Sequence, residues 1–115
     1  MEKNVKKGQV YWAHLEGAQG SEQNGTRPVI VIQNNKGNEH APTTIIAPLT
    51  THISCKPLPT VVYIAPQDSG LKRLCSAHLE QIRTIDKTRL GDLVGQVSFE
   101  TIKEINKALR ISLEL

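Results

Sequence analysis

The length of 115 residues predicts one compact domain over residues 1–115. Hydrophobic residues make up 38% of the chain and charged residues 22%, and there is no low-complexity tract, so we do not expect a disordered chain. The net charge of +3 permits a polyanionic partner without implying one. No apolar run approaches the roughly 18–20 residues of a membrane span, and the N-terminus lacks the apolar stretch of a secretory signal, so we expect a cytoplasmic protein without a membrane partner.

The first part of the chain predicts two strands joined by a long polar loop. Residues 10–15 form a β-rich run, and residues 16–25 switch to a Gly, Ser, Gln and Asn composition that predicts a flexible connection. The uninterrupted apolar run 28–32 predicts a strand buried on both faces. The polar stretch 34–38 then ends that strand as a loop.

The middle of the chain predicts further short strands. Residues 43–47 are β-branched and apolar, and we expect Pro48 to interrupt that strand. Residues 60–64 predict another strand, and residues 79–85 alternate imperfectly as a third. Because proline cannot donate to a strand ladder, the many prolines of this region indicate short, bulged or edge strands.

Only the end of the chain is clearly helical. Ser98 is placed to cap the helix, and five apolar residues recur at three- and four-residue steps. These are Phe99, Ile102, Ile105, Leu109 and Leu113. Residues 86–91 predict a one-turn helix capped by Asp86 and stopped by Gly91. Five to seven strands with this helix predict a mainly β (α+β) fold, a small curled sheet or barrel with a helix packed over it.

Arg27 is the most informative candidate for a functional residue. Pro28 restricts Arg27 to extended conformations, so an exposed guanidinium is held where the polar loop enters the buried strand. The guanidinium fork fits phosphate oxygens, which favours a phosphate site. The alternative is a surface ion pair with Glu16 or Glu22.

Two other segments offer weaker chemistry. Thr50 supplies a hydroxyl, and His52 is an acid or base candidate because histidine is the usual residue for proton transfer, although a lone loop histidine is usually just solvated. Gln81 and Arg83 on one face of a strand could touch bases or phosphates, or instead form cross-strand charge pairs. No metal-ligand spacing or phosphate-binding glycine loop is present, so we expect no cofactor. The two cysteines are expected to be reduced thiols.

Several segments together resemble the MazF/PemK family of toxin–antitoxin ribonucleases, close to its Gram-positive branch. The similarity runs from Gly8 to the C-terminal helix. Its carrying segments are Gly8-Gln9-Val10-Tyr11-Trp12-Ala13, Gly20-Ser21-Glu22-Gln23, Gly25-Thr26-Arg27-Pro28-Val29, Val31-Ile32-Gln33-Asn34, Ala47-Pro48-Leu49-Thr50, Leu58-Pro59-Thr60 and Glu80-Gln81-Ile82-Arg83-Thr84-Ile85-Asp86-Lys87 with Arg89-Leu90. Cys75 stands where relatives commonly carry a serine.

The resemblance implies an SH3-like barrel that forms a homodimer and cuts single-stranded RNA at a short sequence without metal. It implies that Arg27 and Thr50 are catalytic. It further implies RNA contacts from eight residues, namely Gly20, Ser21, Glu22, Gln23, Asn34, Leu58, Pro59 and Gln81. A MazE-like antitoxin would hold such a toxin inactive by laying a tail across its groove.

Two other functions remain open from the sequence. CcdB shares the related fold and poisons DNA gyrase by binding alone, but that activity depends on a C-terminal end containing Trp, whereas this chain ends Ser112-Leu113-Glu114-Leu115. A nucleic-acid binder that cuts nothing is the other possibility.

Overall fold

The computed structural model describes residues 4–16, 25–53 and 58–115. Within these ranges the chain forms a mainly antiparallel β fold with three α-helices and one 3₁₀ turn. The elements are β1 (Gln9–Leu15), β2 (Gly25–Val31), α1 (Asn35–His40), β3 (Thr43–Thr50), β4 (Val61–Ile64), α2 (Pro66–Ser69), β5 (Cys75–His78), β6 (Arg83–Asp86), the 3₁₀ turn (Lys87–Arg89), β7 (Leu90–Gln96) and α3 (Phe99–Leu113).

One strand, β3, organises the sheet by pairing with three others. The order is β4-β5-β3-β2-β1-β7, and β6 also pairs with β3. Residues 43–46 of β3 pair with β6, whereas Leu49 and Thr50 pair with β5. Because β3 changes partner along its length, the sheet divides and curls, which confirms the expected mainly β, curled architecture.

The two faces of β2 enter different apolar clusters. Ile30 packs in the cluster that includes Leu49, Ile64 and Ile105 of α3. The alternate residues of β2, Val29 and Val31, pack in a second cluster with Tyr11, Leu15, Ile46, Ile85 and Leu90. The uninterrupted apolar run is therefore explained as a strand buried on both faces, as predicted.

Pro48 does not interrupt β3, contrary to the expectation. It lies inside the strand, is buried and pairs with Val29. The position falls between the part of β3 that pairs with β6 and the part that pairs with β5. We attribute the tolerance of a proline there to this change of partner, where the lack of an N–H interrupts no continuous ladder.

Residues 79–85 are not one strand. Only Arg83–Asp86 forms β6, and the Gln81 backbone N–H donates to the His78 carbonyl at 3.1 Å in a turn that follows β5. Strands β5 and β6 are both antiparallel to β3 and follow one another along it, and the turn between them separates the two pairings. Gln81 and Arg83 therefore do not share a strand face, and the Arg83 guanidinium donates to the Glu16 carbonyl at 2.8 Å.

The helical predictions are partly confirmed. Ser98 caps α3, and the Asp86 side chain caps the 3₁₀ turn, which ends at Arg89 rather than at Gly91. The buried residues of α3 are Thr101, Ile105 and Ala108. Phe99 is 66% exposed, with the Lys103 ammonium 5.1 Å from its ring centroid, and Leu113 is 50% exposed. Only one narrow stripe of α3 meets the sheet, which leaves both ends of the expected apolar face uncovered.

Four elements, α1, α2, β5 and β7, were not expected from the sequence. Residues 34–38 belong to the start of α1, where the Asn34 side chain accepts the Gly37 N–H, and β7 follows the 3₁₀ turn. Among the described residues, no helix has the length and apolar character needed to cross a membrane.

Candidate active site

A cleft of about 590 Å³ opens beside the start of β2 and the end of β3. Arg27 and Thr50, the two residues that the resemblance implies to be catalytic, both line it. Its other described lining residues are Trp12, Thr26, Pro28, Leu49, Thr51, Gly70, Leu71, Lys72, Arg73 and Val94. Residues of four strands, β1, β2, β3 and β7, and of the loop before β5 therefore form one concave surface.

Strand register explains why Arg27 approaches Thr50. Strands β2 and β3 pair at Val29 with Pro48, and at the two following positions in the same antiparallel register. The pairing ends at Val29 and Pro48, and extrapolating its register by two residues would set Arg27 opposite Thr50, in agreement with their place in one cleft. Arg27 also pairs with Ala13 of β1 and is half-buried, not exposed as the sequence suggested. Because a neighbouring strand flanks it, its backbone is held firmly.

The hydroxyl of Thr50 has a defined hydrogen-bonding role. Its Oγ1 accepts the backbone N–H of His52 at 3.1 Å. A hydroxyl has one proton to donate, so accepting this N–H leaves the Thr50 proton free to turn towards a ligand. His52 itself is exposed and lies outside the described lining of the cleft. Thr50 is therefore suited to donate to an anion in the cleft.

The cleft is cationic, and the sequence did not reveal all of the basic residues in it. Lys72 and Arg73 line it together with Arg27, whereas none of its described lining residues is acidic. Both residues lie in the irregular segment between α2 and β5. The adjacent Lys-Arg pair was the available signal, but charge pairs in loops are common and usually solvated. The arrangement favours a polyanionic ligand.

Gly70 fixes the direction of this basic loop. It ends α2 with a φ of 85°, a left-handed conformation that glycine adopts without strain. A Cβ at this position would stand 2.5 Å from the Val94 carbonyl oxygen of β7. The close approach of Gly70 to β7 therefore sets where Lys72 and Arg73 leave the body of the fold.

The other implied RNA contacts are spread more widely. Asn34 caps α1 and does not line the cleft, while Leu58 is 53% exposed. Pro59 lines a separate groove of about 540 Å³ between β4 and α3, and Gln81 is half-buried in the turn after β5. Residues 20–23 lie outside the described residues, so their role stays a prediction.

The environment of Cys75 agrees with an inert thiol. The side chain is fully buried, and its Sγ donates to the Ile64 carbonyl oxygen at 3.7 Å. Burial raises the pKa of this thiol, and a hydrogen bond with Ser69 opposes that rise. Cys75 is a free cysteine, and Cys55 lies outside the described residues. Across 4–16, 25–53 and 58–115, no group of three or more His, Cys, Asp or Glu side chains is placed to hold a metal ion.

Comparisons with known proteins agree with one another along nearly the whole chain. A family model described as PemK-like, MazF-like toxin of type II toxin-antitoxin system matches residues 6–113. Endoribonuclease EndoA of Bacillus subtilis (strain 168) is 48% identical over 111 residues, which is 96% of each chain.

Solved structures agree in fold. A mycobacterial endoribonuclease in complex with its cognate antitoxin is 32% identical with a TM-score of 0.81, and the match covers 96% of both chains. MazF from Deinococcus radiodurans is 19% identical with a TM-score of 0.82, covering 99% of this chain and 100% of that one, which shows the shared fold alone. From its matched length and identity, the chain belongs to the PemK/MazF family of type II toxin–antitoxin toxins.

Proposed function

We propose that this family member is an endoribonuclease that cuts single-stranded RNA in the cleft shared by Arg27 and Thr50. The observation that carries the proposal is the convergence of these two side chains on one cationic concave surface. The ribose 2′-OH would attack the adjacent phosphate, giving a 2′,3′-cyclic phosphate and a 5′-hydroxyl end. Because nucleophile and phosphate belong to one nucleotide, holding the backbone in line already lowers the barrier.

Arg27 would stabilise the charge that develops on the phosphate oxygens. An arginine stays protonated at any working pH, so in this proposal it supplies positive charge and two aligned donors and is not a general base. By analogy with single oxyanion-hole donors, its contribution is about 3–4 kcal/mol. Its strand-held backbone means that little reorganisation is needed when the substrate binds.

Thr50 would donate its hydroxyl proton to the same phosphate. The His52 N–H already occupies one lone pair of the Thr50 oxygen, which orients the side chain before substrate arrives. Lys72 and Arg73 would hold neighbouring phosphates of the strand. The bases would lie along the surface that carries Leu58, Pro59 and Gln81.

The proposed partners follow from the charge of the cleft and from the relatives. One relative was solved with its cognate antitoxin. We propose that a MazE-like antitoxin places acidic groups of a tail in the same cationic cleft, where they replace RNA phosphates. We also propose a homodimer acting in the cytoplasm, where mRNA is translated.

The test is incubation of the purified protein with a long mixed-sequence RNA in EDTA, followed by mapping of the cut ends. We expect cuts at one short motif, with 5′-hydroxyl and cyclic phosphate ends. Arg27→Ala should abolish cutting while far-ultraviolet circular dichroism stays unchanged. His52→Ala is the matched control and should cut normally, since its side chain lies outside the described lining of the cleft.

Intact RNA at every ionic strength tested would overturn the proposal. Inhibition of gyrase supercoiling with no RNA cut would replace it with a binding toxin. Binding of RNA without cleavage would indicate a nucleic-acid binder.

A further inference from the structure

A chain of side-chain hydrogen bonds runs along β5 and into the turn that follows it. The Ser76 hydroxyl lies 3.1 Å from Nε2 of His78, and Nδ1 of His78 lies 3.0 Å from Oε2 of Glu80. The other carboxylate oxygen of Glu80 accepts the Thr60 hydroxyl at 3.1 Å. Ser76 is 2% exposed and the His78 side chain is 18% exposed. The network is therefore buried at Ser76 and reaches the surface at Glu80.

This network ends beside the proposed catalytic hydroxyl. Thr50 of β3 and Ser76 of β5 are register partners, so their side chains stand on the same face of the sheet. Opposed hydroxyl residues on antiparallel strands are close enough to hydrogen-bond across the strands. Ser76 therefore has two neighbours that could take its single proton, His78 along its own strand and Thr50 across the sheet.

Glu80 decides which neighbour receives that proton. Burial by itself would raise the pKa of Glu80, but hydrogen bonds from His78, from its own backbone N–H and from Thr60 help to bring that pKa below its usual value. An ionised carboxylate only accepts hydrogen bonds, so the Nδ1 of His78 carries the ring proton. In neutral His78 the Nε2 then has a lone pair and accepts the Ser76 hydroxyl.

We propose that His78 is a positioning residue for RNA cleavage. His78 accepts the hydrogen bond from the Ser76 hydroxyl, and this prevents Ser76 from donating to the Thr50 oxygen. This inference rests on the proposed function, because it concerns the hydroxyl that would meet the phosphate. If His78 did not accept the Ser76 proton, the buried Ser76 hydroxyl would lack a partner, which is unfavourable. The Ser76 hydroxyl would then donate to Oγ1 of Thr50 and compete with the His52 N–H for this acceptor. As a result, the Thr50 hydroxyl would turn away from the cleft.

Three variants test the inference through the kinetics of RNA cleavage. His78→Leu should lower kcat about tenfold or more with little change in KM, the size expected when one hydrogen bond to a charged phosphate oxygen is lost from the transition state. Ser76→Ala should cut nearly as well as the wild type, since it removes the competing proton. The double variant should regain most of the lost kcat for the same reason.

A second route to the same result leaves the imidazole in place. Glu80→Gln removes the acceptor-only carboxylate, so the ring proton can move to Nε2 and the Ser76 proton is released. We expect a lower kcat that Ser76→Ala again restores. Nitrogen NMR of the His78 ring should show the proton on Nδ1 in the wild type and a shift towards Nε2 in Glu80→Gln. This variant decides the matter if His78→Leu does not fold.

The outcomes separate this inference from the proposed function. Normal kcat in His78→Leu and Glu80→Gln would overturn the inference and leave RNA cleavage intact. A loss that Ser76→Ala fails to restore would mean that the network is only structural, which also overturns it. Absence of cleavage by the wild type would overturn both the proposed function and the inference that rests on it.

Discussion

The side-chain oxygen of Thr50 accepts the backbone N–H of His52 at 3.1 Å, at the point where β3 ends. This local turn fixes the threonine side chain and leaves its proton as the remaining donor. The same residue lines the cleft together with Arg27 of β2. A bond between near neighbours thus orients a group whose partner in the cleft lies far away in sequence.

Two substitutions of Thr50 distinguish the contribution of its hydroxyl to cleavage from the contribution of its side-chain shape. Thr50→Ser keeps both the acceptor for His52 and the proton, so we expect most of the cleavage rate to remain. Thr50→Val is nearly isosteric but lacks the oxygen, and kcat should fall about tenfold to hundredfold. Single-turnover cleavage of one defined RNA measures the difference. Equal rates in Val and Ser variants would show that the hydroxyl does not act on the phosphate.

Lys72 and Arg73 are expected to set the salt dependence of RNA binding. For a single strand each phosphate contact contributes about 0.7 to the slope of log affinity against log salt concentration. Lys72→Gln or Arg73→Gln should reduce that slope by about this amount and weaken binding several-fold. A catalytically inactive Arg27→Ala background allows the titration to be followed by fluorescence anisotropy.

Lys36→Gln is the matched control for those two variants. Lys36 is exposed on α1 and is not among the described residues that line the cleft. The slope of log affinity against log salt concentration for Lys36→Gln should therefore equal that of the background protein. Equal losses at all three positions would mean that the protein responds only to net charge.

Gly70→Ala should destabilise the fold more than Gly25→Ala does. Both glycines have a positive φ, at 85° and 83°, but a Cβ at Gly25 meets no atom within 4 Å, whereas at Gly70 it would collide with the Val94 carbonyl. The backbone penalty is common to both variants, and overpacking should add about 1–3 kcal/mol at Gly70. Urea denaturation gives the two free energies of unfolding. Similar values would argue against the close approach of Gly70 to β7.

Stability should depend on pH through Glu80. Its pKa is lowered in the folded protein by the hydrogen bonds described above, which outweigh burial. A lowered pKa means that the unfolded chain binds the proton more readily, so this stabilisation is present above the usual pKa of about 4.5 and is lost as the pH falls through the folded value. The group is partly exposed, so the effect should stay at or below about 1 kcal/mol.

Glu80→Gln tests this sign. We expect the variant to be less stable than the wild type at pH 7 and the difference in unfolding free energy to shrink on acidification towards pH 3. A difference that grows on acidification would contradict the assignment.

Several features could be predicted from the sequence because their causes are local. The apolar run in β2 predicts burial on both faces, and the capping roles of Ser98 and Asp86 depend on side chains that reach only a few residues along the chain. The restriction that Pro28 places on Arg27 is likewise a property of adjacent residues. Effects of this kind act between residues that are close in sequence, so the sequence alone is enough to predict them.

Other features depend on which strands become neighbours, and only the tertiary structure decides that. Pro48 is acceptable inside β3 because β3 changes partner there, and Ser76 faces Thr50 because β5 pairs with the end of β3. The entry of Lys72 and Arg73 into the cleft depends on the contact between Gly70 and β7. Contacts between residues distant in sequence form only when strands pair and pack, so periodicity and spacing along the chain do not specify them.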